Sequence, residues 1–590
     1  MIVYYVYGSA LPIRRKVQQM IEFKSALCAA LEKAIAALLP EGAPTAEEIG
    51  EMLTTPPDPA MGDYAFPCFK LAKPMRKAPP VIAGMLKDAL PPLPDLEKAE
   101  VAGGYLNFSV SDSYYTVSVL NEIEAKGGDY GRPDFGAGKT VVLDYSSPNV
   151  AKPFHIGHLG TTVIGHSLKK LHEFAGYHCI GINHLGDWGT QFGKLIVAYR
   201  TWGSKEQVEK GGVDELVSLY VRFHEEAEKD PALNDAARAE FSKLEHHDEE
   251  NIALWKWFID LSLREYEKTY RQLGITFDYY TGESFYTDLM PAQVEKLREK
   301  NLLTIDDGAS IVDLSAYKMP PCLILKRDGS TLYPTRDIAA AVYRHDTFAF
   351  DKAIYVTSAQ QIMHFQQWFR VLDLMGYDWY DRCVHVPYGT VSVNGEKLST
   401  RTGNVVLLRD LFKTAIEKVS EIMAQKNPDL PDRESVAEAV GVGAIVFHYL
   451  SNSRIKDINF MMDDALNFDG NTGPYVQYTY ARTCSVLEKA GGIPEAKGDY
   501  QANAAEVSLL KTLSKFESKV TDAIDAYEPM VITRYLLDVA GAFNQFYHEC
   551  QILTADTEAA KAFRLRLTAA AKTVLGSALE LICMKKTEKI

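Results

Sequence analysis

Apolar positions along this chain follow two periods, and the sharpest change from one to the other falls near residue 145. Residues 140–145 are β-branched and apolar, which predicts a buried strand. Beyond them the apolar positions recur at helical spacing until Gly176 offers a C-terminal stop. These helical positions are Leu159, Val163, Ile164, Leu168 and Leu171. The pattern therefore predicts a strand, a turn and a helix in succession.

Strands and helices alternate from residue 139 to about residue 409. Such alternation predicts a parallel sheet with crossover helices, which binds ligands at the carboxyl ends of its strands. Between residue 199 and about residue 277 the strand pattern gives way to charged helices, so a helical insertion is expected to split the sheet. The other predicted strands are 178–183, 309–314, 322–325 and 353–356, and the charged helices are 214–228 and 249–273.

The two ends of the chain carry different patterns. Residues 21–39 read as an amphipathic helix and residues 104–110 as a strand, with proline-rich turns between them, which predicts a small α+β module. A glycine-rich break at 127–133 separates this module from the alternating region. After about residue 411 the pattern becomes helical, with a helix predicted at 435–450 and a helical bundle beyond Gly473-Pro474.

Composition bounds the class of protein. The chain has 590 residues, 47% of them hydrophobic, which suits about three to five domains with cores of their own. Its apolar runs are too short for a transmembrane helix, and residues 1–14 are too short and aromatic for a signal peptide, so we expect a cytoplasmic protein and no membrane partner. The eight cysteines lack a Cys-x-x-Cys pair and read as reduced thiols, with no metal site.

If the net charge of the whole chain is taken as the criterion, the formal value of −15 argues against a nucleic-acid partner. The acidic residues concentrate in predicted helices, however, such as 225–228 and 248–250, where they are most simply solvated faces. A local basic groove that follows a nucleic-acid backbone therefore remains an expectation.

The turn predicted after residue 145 holds two imidazoles around a glycine, His155, Gly157 and His158. A helix N-terminus offers free backbone N–H groups and the positive end of the helix dipole, and glycine allows a ligand close to the main chain. This favours a nucleotide-phosphate site. The alternative is a pair of buried, hydrogen-bonded histidines without a ligand.

A second polar segment, residues 395–404, combines two cations, Lys397 and Arg401, with three hydroxyl side chains and flanking glycines. Such a loop can close over phosphates, although an isolated segment of this kind is more often a solvated hairpin turn. Its occurrence together with the paired histidines favours a triphosphate site.

The two motifs together resemble the HIGH and KMSKS signatures of class I aminoacyl-tRNA synthetases. Residues 155–158 match fully, whereas residues 397–401 match in part, because Thr400 stands in place of the second lysine. Residues 146–158 resemble the arginyl-tRNA synthetase family in particular, where Lys152 is the usual replacement for that lysine. The resemblance covers nearly all of the chain after about residue 20 and includes the segments 186–193, 333–337, 358–361 and 473–478.

The resemblance implies a multidomain fold of class α/β and α. It implies a split Rossmann-type catalytic domain with a helical insertion, an N-terminal α+β domain and a C-terminal helical bundle that binds the anticodon. The expected boundaries are 20–130 for an additional tRNA-contacting domain, 135–410 for the catalytic domain with its insertion at about 200–277, 411–470 for a connector that contacts the tRNA stem, and 471–590 for the bundle.

The resemblance implies a two-step reaction that uses ATP and Mg²⁺. Arginine attacks the α-phosphorus of ATP to give arginyl-adenylate and pyrophosphate, and a terminal hydroxyl of tRNA(Arg) then takes the arginyl group. His155 and His158 are expected to donate to the phosphates, Lys397 to meet the pyrophosphate and Lys152 to supply the second charge. Gly157 and Ser399 complete the expected ATP site.

Recognition of arginine requires a particular arrangement of acceptors, because a planar guanidinium binds carboxylate and amide oxygens held in a fixed plane. Without the resemblance, Asp337 reads more simply as a charge at a helix N-terminus. Asp187 and Gln191, in the loop after the strand 178–183, are further pocket candidates without an assigned role. The resemblance implies Asp144 and Asn149 at the α-amino group, Tyr333, Asp337 and Gln361 near the side chain, and His155 beside them.

The expected tRNA contacts are Asn107 and Phe108 in the N-terminal domain and Tyr475, Gln477 and Arg482 at the start of the bundle. An ordinary edge strand and an apolar helix stripe are the structural alternatives for these two groups. The chain ends in isoleucine, whereas the family typically ends in a methionine that helps to close the bundle. The expected state is a monomer, and residues 1–19 have no assigned role.

Two functions from other classes remain as alternatives. One is a nucleotidyltransferase of the same fold that acts on a small acceptor, which the long helical C-terminal region opposes. The other is a catalytically idle paralogue that binds tRNA, which the intact His155, His158 and Lys397 oppose.

Overall fold

The computed structural model describes residues 23–397, 406–495 and 500–590. Contacts divide the chain into two units, and each is described by itself. The first contains Met1–Tyr130, Ile493–Ser514 and Gln545–Ala570, and the second contains Gly131–Gly492, Lys515–Asn544 and Ala571–Ile590. The four predicted domains stay a prediction, and residues 1–19 lie outside the described part. In that part no helix combines the length and the apolar character that a membrane span requires.

The strands of the described residues are short, and most were expected only in part. In chain order they are β1 (Tyr64–Pro67), β2 (Leu96–Ala102), β3 (Tyr105–Val110), β4 (Thr140–Asp144), β5 (His178–Asn183), β6 (Tyr279–Tyr280), β7 (Leu303–Asp306), β8 (Ala309–Val312), β9 (Cys322–Leu325), β10 (Lys352–Ser358), β11 (Cys383–Tyr388), β12 (Val391–Val393), β13 (Glu396–Lys397) and β14 (Ile458–Phe460).

The α-helices form most of the described chain. They are α1 (Phe23–Leu38), α2 (Ala46–Met52), α3 (Phe69–Met75), α4 (Pro79–Ala89), α5 (Leu120–Lys126), α6 (Leu159–Phe174), α7 (Thr190–Trp202), α8 (Lys205–Lys229), α9 (Ala232–Glu245), α10 (Glu249–Leu273), α11 (Met290–Glu299), α12 (Tyr333–Phe348), α13 (Ile362–Leu374), α14 (Leu408–Lys426), α15 (Arg433–Leu450), α16 (Met462–Ala465), α17 (Gly473–Ala490), α18 (Ala504–Leu513), α19 (Phe516–Asp525), α20 (Met530–Glu549) and α21 (Glu558–Leu581).

The first unit contains an antiparallel sheet of order β1-β3-β2. Helix α1 buries Leu27, Leu31 and Ile35, which are spaced by one helical turn and leave the opposite face to solvent. The helix and the strand β3 confirm the predicted α+β module. The pattern missed β1 and β2, because β1 is only four residues long and β2 is largely exposed and polar.

The centre of the second unit is a five-stranded parallel sheet of order β11-β10-β4-β5-β6. The chain leaves β4 on one side toward β5 and returns to its other side as β10, so the strand order reverses between β4 and β10. Ligands bind parallel sheets at such a reversal, outside the carboxyl ends of the strands. The predicted strand, turn and helix at β4 and α6 are confirmed.

Helix α6 approaches β4 closely because Gly165 faces Tyr145. A Cβ atom on Gly165 would lie 2.2 Å from the Cβ of Tyr145, so only a glycine fits there. Helices α12 and α13 pack with β4 and β5 in one apolar core that includes Val142, Ile338 and the fully buried Trp368. These contacts hold the beginnings of α6, α12 and α13 beside the sheet.

The predicted helical insertion is confirmed as α8, α9 and α10, which pack with α7 around Phe223 and Phe258. The strand predictions that follow it need a correction. Strands β8 and β9 belong with β7 to a separate antiparallel sheet, and only β10 of the three predicted strands joins the parallel sheet. A short apolar run carries no information about its pairing partner, which explains the error.

The region after residue 411 is helical as expected, except for β14. This strand pairs with β12, which also pairs with β13, in a small sheet of order β13-β12-β14. Three residues are too few for a periodic pattern to reveal a strand.

Candidate active site

The carboxyl ends of β4 and β10 are joined by one hydroxyl side chain. Thr161, in the first turn of α6, donates a hydrogen bond to the carbonyl oxygen of Val356 at 2.7 Å and accepts one from the backbone N–H of Ser146 at 3.0 Å. Ser146 and Ser147 have φ angles of 72° and 48°, so the chain turns sharply as it leaves β4. This turn lies at the carboxyl edge of the sheet, where several of the predicted site residues lie.

His155 and His158 lie ring against ring, with centroids 4.0 Å apart, at the start of α6. The Nδ1 atom of His155 accepts the backbone N–H of Gly157 at 3.1 Å, and Nδ1 of His158 accepts the backbone N–H of His155 at 3.2 Å. The two imidazoles therefore cap the single 3₁₀ turn Ile156–His158 that begins the helix.

Both imidazoles are neutral at physiological pH. Burial, reinforced by the charge of Lys152, lowers the pKa of His155 to about 4. Burial also lowers the pKa of His158 to about 3, and the charges of His155 and Lys152 act in the same direction. Because Nδ1 is an acceptor in each ring, the proton of each neutral ring sits on Nε2. The site thus presents two N–H donors without adding a charge.

The absence of a side chain at Gly157 makes room for the ring of His155. A Cβ atom at this position would lie 2.8 Å from Cε1 and 2.9 Å from Nδ1 of His155. A glycine therefore allows the ring of His155 to lie across the turn.

The polar segment predicted to close over phosphates meets this turn at its far end. The backbone N–H of Ile156 donates to the carbonyl oxygen of Val406 at 3.0 Å, and the N–H of Leu408 donates to the carbonyl oxygen of Phe154 at 3.0 Å. At its near end the segment begins from β13, whose Lys397 pairs with Ser392 in the backbone register. Residues 398–405, and with them the predicted Ser399, lie outside the described residues, as does the side chain of Lys397.

Lys152 stands beside the histidines, and its backbone is held from the helical insertion. Tyr266 of α10 donates to the carbonyl oxygens of Asn149 and Lys152, at 2.7 and 2.8 Å. The charge of Lys152 reaches both imidazoles, since it lowers the pKa of each. Among the residues that the structure describes, the Lys152 ammonium makes no ion pair, so its charge is available to a ligand.

Carboxylates collect on the other side of the turn, around a buried histidine. Burial lowers the pKa of His184, and the charges of Asp144, Asp187 and Asp337 oppose this shift. Arg344, which pairs with Asp144, lies 3.5 Å from Nδ1 of His184. Asp144 forms a 2.8 Å ion pair with Arg344, whose side chain is 1% exposed, and accepts a 3.0 Å hydrogen bond from Ser147. Asp144 is therefore held in place on both of its oxygens.

The remaining acids of the cluster also have fixed partners. Asp187 accepts the N–H and the hydroxyl of Ser284, at 2.8 and 2.7 Å, and burial raises its pKa. Glu283 pairs with Arg336 at 2.9 Å, and burial raises its pKa to about 7. Four carboxyl groups of this cluster, counting Asp337, thus face two guanidinium groups. The excess of acid suits a cationic ligand.

Helix α12 begins at Tyr333 and carries Asp337 one turn later. The side chain of Tyr333 is 67% exposed, and Oδ2 of Asp337 accepts a hydrogen bond from Nε2 of His364 at 2.5 Å. Gln361 and Asn149 are exposed, whereas Gln191 is half-buried. The predicted Asp144, Asp187 and Asp337 each have a fixed partner, and the charge of each acts on His184.

Sequence reasoning missed five residues that surround these acids, namely His184, Glu283, Arg336, Arg344 and His364. One of them had a usable signature. Arg344 follows Asp337 by seven residues, which is two helical turns, on a helix face otherwise occupied by buried alanines. A charge on an apolar helix face indicates a buried ion pair.

The predicted contacts in the first unit need a correction. Phe108 is fully buried and Asn107 is 6% exposed, so neither side chain is presented to a nucleic acid. The same strand exposes Tyr105, which lies 5.2 Å from the half-exposed ring of Phe69. The prediction was correct about the strand, but β3 is the central strand of its sheet, and Asn107 and Phe108 are both buried although they point to opposite faces.

Of the predicted contacts on α17, Gln477 also proves to be buried. Its amide donates to the carbonyl oxygens of Ala439 and Lys585 at 3.1 and 2.9 Å, which ties three segments of the bundle together. Tyr475 and Arg482 are partly exposed, and each is hydrogen-bonded to the side chain of Asn544. Only these two of the three remain candidates for contact with a base.

In the described part of the chain, no group of three or more His, Cys, Asp or Glu side chains is arranged to hold a metal ion.

Three family models match successive parts of the chain. The model described as "tRNA synthetases class I (R), catalytic domain" matches residues 120–462. The model "Arginyl tRNA synthetase N terminal domain" matches residues 22–110, and "DALR anticodon binding domain" matches residues 476–590.

Curated proteins and solved structures agree with these matches. An "Arginine--tRNA ligase" of Alkaliphilus metalliredigens is 51% identical over 549 residues, which cover 92% of this chain and 96% of that protein. One of Clostridioides difficile is 50% identical over 573 residues, which cover 97% of this chain and 100% of that protein. The structure of Thermus thermophilus arginyl-tRNA synthetase matches with a TM-score of 0.81 at 27% identity, over 96% of this chain and 100% of that one.

Proposed function

The chain belongs to the arginyl-tRNA synthetase family of class I aminoacyl-tRNA synthetases, and on that premise we propose which of its residues carry the ligation of arginine to tRNA. It is an arginine–tRNA ligase that uses ATP. In the first step, a carboxylate oxygen of arginine bonds to the α-phosphorus of ATP and pyrophosphate leaves. In the second step, a terminal hydroxyl of tRNA(Arg) attacks the arginyl carbonyl and AMP leaves.

Neither step requires a covalent bond to the enzyme. The rate then depends on alignment of the reactants and on stabilisation of the charge that builds up on the phosphates. The Nε2–H groups of His155 and His158 are donors for those oxygens, and their Nδ1 bonds to the backbone fix their direction in advance. A donor that already points toward the phosphate oxygens needs little reorganisation when negative charge develops on them.

Cations at the same turn complete the phosphate site. Lys152 supplies one charge, which the lowered pKa values of both imidazoles support. Lys397 supplies the other for the leaving pyrophosphate, and Ser399 belongs to the same loop. The hydrogen bonds that join Ile156 to Val406 and Phe154 to Leu408 hold the described residues after this loop beside the turn, which supports a role of the loop in the phosphate site. We propose that Mg²⁺ arrives with the triphosphate, whose charge it offsets.

The acid cluster supports arginine as the substrate. Asp337 would accept the guanidinium with Tyr333 and Gln361 beside it, and Asp144 with Asn149 would hold the α-amino group. Asp144 already accepts from Arg344 and Ser147, but a carboxylate has about four acceptor positions, so it can accept an ammonium as well. A fork of two parallel bonds from a guanidinium to Asp337 discriminates against lysine.

The observation that carries this proposal is the juxtaposition of two neutral N–H donors with a carboxylate-rich cluster at one edge of the sheet. ATP–pyrophosphate exchange with arginine, measured with and without tRNA(Arg), tests it. We expect exchange that depends on arginine in the presence of tRNA. Equal exchange with other amino acids would overturn the arginine pocket, and no exchange under either condition would favour an idle, tRNA-binding protein.

Lys152 provides a first test of the phosphate site. We expect Lys152→Ala to lower kcat for adenylate formation by about tenfold with little change in the KM for ATP, since the charge acts mainly on the developing pyrophosphate. Steady-state exchange kinetics measure both constants. Lys170→Ala, on the exposed side of α6, is a control that should leave both unchanged. A rise in the KM for ATP alone would contradict the proposed role.

For the tRNA, we propose that the exposed pair Phe69 and Tyr105 replaces the buried Phe108 as the aromatic contact of the first unit. Helix α3 and the residues that follow it bring four exposed cations next to this pair, Lys70, Lys73, Arg76 and Lys77. Exposed aromatic rings beside cations suit unstacked bases and the phosphate backbone.

We expect Tyr105→Ala to raise the KM for tRNA(Arg) by roughly tenfold, the cost of one stacked base, with no change in the KM for arginine or ATP. Aminoacylation kinetics measure all three constants. Tyr317→Ala removes a ring of similar exposure in the second unit and is the control. An unchanged KM for tRNA in the Tyr105 variant would exclude this surface as a contact.

The predicted cytoplasmic location and monomeric state stay predictions.

A further inference from the structure

The four carboxyl groups near the arginine site differ in how much of their bonding capacity is already used. Asp144 pairs with Arg344, Glu283 with Arg336, and both oxygens of Asp187 accept from Ser284. Among the described residues, Asp337 has a partner on Oδ2 alone. Oδ1 of Asp337, like Oε2 of Glu283, is therefore left for a guanidinium donor, and of these two acids only Asp337 lacks an arginine partner among the described residues.

The partner of Asp337 is the imidazole of His364. Nε2 of His364 lies 2.5 Å from Oδ2 of Asp337, and the two side chains are 26% and 29% exposed. His364 is the third residue of α13, which follows the carboxyl end of β10, and Asp337 is the fifth residue of α12. Both residues thus lie in the opening turns of helices that share the core with the parallel sheet, where a substrate can reach them.

The kind of partner matters for guanidinium recognition. An arginine or lysine partner would neutralise the carboxylate, as Arg344 and Arg336 do for their acids, and would compete with the substrate. An imidazole N–H donates one hydrogen bond to Oδ2, which fixes the carboxylate plane and leaves Oδ1 to the substrate. An aspartate side chain held in this way is preorganised for a planar ligand.

We propose that His364 is a positioning residue for arginine recognition, which acts by orienting the carboxylate of Asp337 through the Nε2 hydrogen bond. The inference rests on the proposed role of Asp337 as the acceptor of the guanidinium. His364 itself contacts neither the reacting atoms nor the phosphates in this assignment.

Two substitutions separate positioning from a general structural role. Glutamine carries an amide N–H near the place of Nε2, whereas alanine carries no donor. We expect His364→Ala to raise the KM for arginine by about tenfold, the typical value of a hydrogen bond to a charged group, with kcat and the KM for ATP nearly unchanged. We expect His364→Gln to restore most of the affinity. Equal losses in the two variants would overturn the proposal.

A double-mutant cycle with Asp337→Asn then tests the positioning role of His364 separately from the proposed role of Asp337, on which it rests. If His364 acts through Asp337, adding His364→Ala to Asp337→Asn raises the KM for arginine no further. A full additional tenfold rise would overturn the positioning role while the pocket stands. A normal KM for arginine in Asp337→Asn itself would overturn the proposed pocket, and the inference with it.

The control for stability lies on the same helix as Asp337. His345, in the last turn of α12, also pairs with a neighbouring carboxylate, at 3.3 Å from Asp346, but stands far along the helix from Asp337. We expect His345→Ala to leave the KM for arginine unchanged. Thermal unfolding of every variant shows which of them fold, and a KM change shared by His345→Ala would overturn the specific role of His364.

Discussion

Replacing His158 with asparagine is expected to lower kcat for arginyl-adenylate formation by roughly 10²- to 10³-fold, the usual cost of one preorganised donor to a developing charge. The reason lies in the separate tasks of the two ring nitrogens. Nδ1 of His158 accepts the backbone N–H of His155 at 3.2 Å, which leaves Nε2–H for a phosphate oxygen. Asparagine keeps an acceptor near the position of Nδ1 and removes the donor, so the cap remains while the catalytic contact is lost.

Single-turnover formation of the adenylate measures this loss directly. His158→Gln makes the opposite change, because it places an amide N–H near the position of Nε2 and gives up the acceptor at Nδ1. It should retain more activity than His158→Asn. The asparagine variant should unfold near the temperature of the unchanged protein. Full activity in His158→Asn would remove this side chain from the phosphate site and leave it a structural cap.

The pH dependence of the rate offers a consistency check on the same side chains. Burial lowers the pKa of His155 to about 4 and that of His158 to about 3, so both rings stay neutral, with Nε2–H as donor, well below neutral pH. We therefore expect no inflection from either ring in the profile of kcat between about pH 6 and pH 8.

Replacing Asp337 with asparagine is expected to reduce kcat/KM for arginine by about a thousandfold. This substitution keeps the size of the side chain and removes the charge that a guanidinium requires, and losing one partner of a hydrogen-bonded charge pair costs about 2–5 kcal/mol. Among the described residues, Asp337 has a partner on Oδ2 alone and is not paired with an arginine, whereas Asp144 and Glu283 each are. Most of the loss should fall on the KM for arginine.

Exchange kinetics at varied arginine concentration, and separately at varied ATP concentration, show whether the loss falls on the KM for arginine or on the KM for ATP. Asp313→Asn is the matched control, because Asp313 is an exposed carboxylate that accepts from Ser315 in a turn beyond β8. It should leave both KM values unchanged. A loss in Asp337→Asn that appears in the KM for ATP and spares arginine would show that this carboxylate serves the nucleotide.

The phosphate side of the site could be predicted from sequence with little help from tertiary structure. His155, Gly157 and His158 lie within four residues, and their geometry follows from the local change from strand to helix. The structure adds that the missing side chain of Gly157 makes room for the ring of His155, and its place in the ATP site stays a prediction. Periodicity could not show which atom a small residue makes room for.

The arginine side was less predictable because its parts come from distant segments. Asp337 and His364 are 27 residues apart in the chain, and Asp144 and Arg344 are 200 residues apart. No local pattern connects such residues, because the packing of α12 and α13 with the sheet is what brings them together. The error at Phe108 has a related cause, since a strand pattern does not say which face is covered.

By itself, the sequence determined the strand, turn and helix around the paired histidines, the helical insertion and the membership of the family, because each depends on local spacing or on matched motifs. Tertiary structure alone decided which carboxylates are paired with arginine, that Asp337 is held by His364 instead, and that Tyr105 is exposed where Phe108 is buried. The physical reason is that burial and ion pairing arise between segments far apart in the chain. They become definite only when the core has packed.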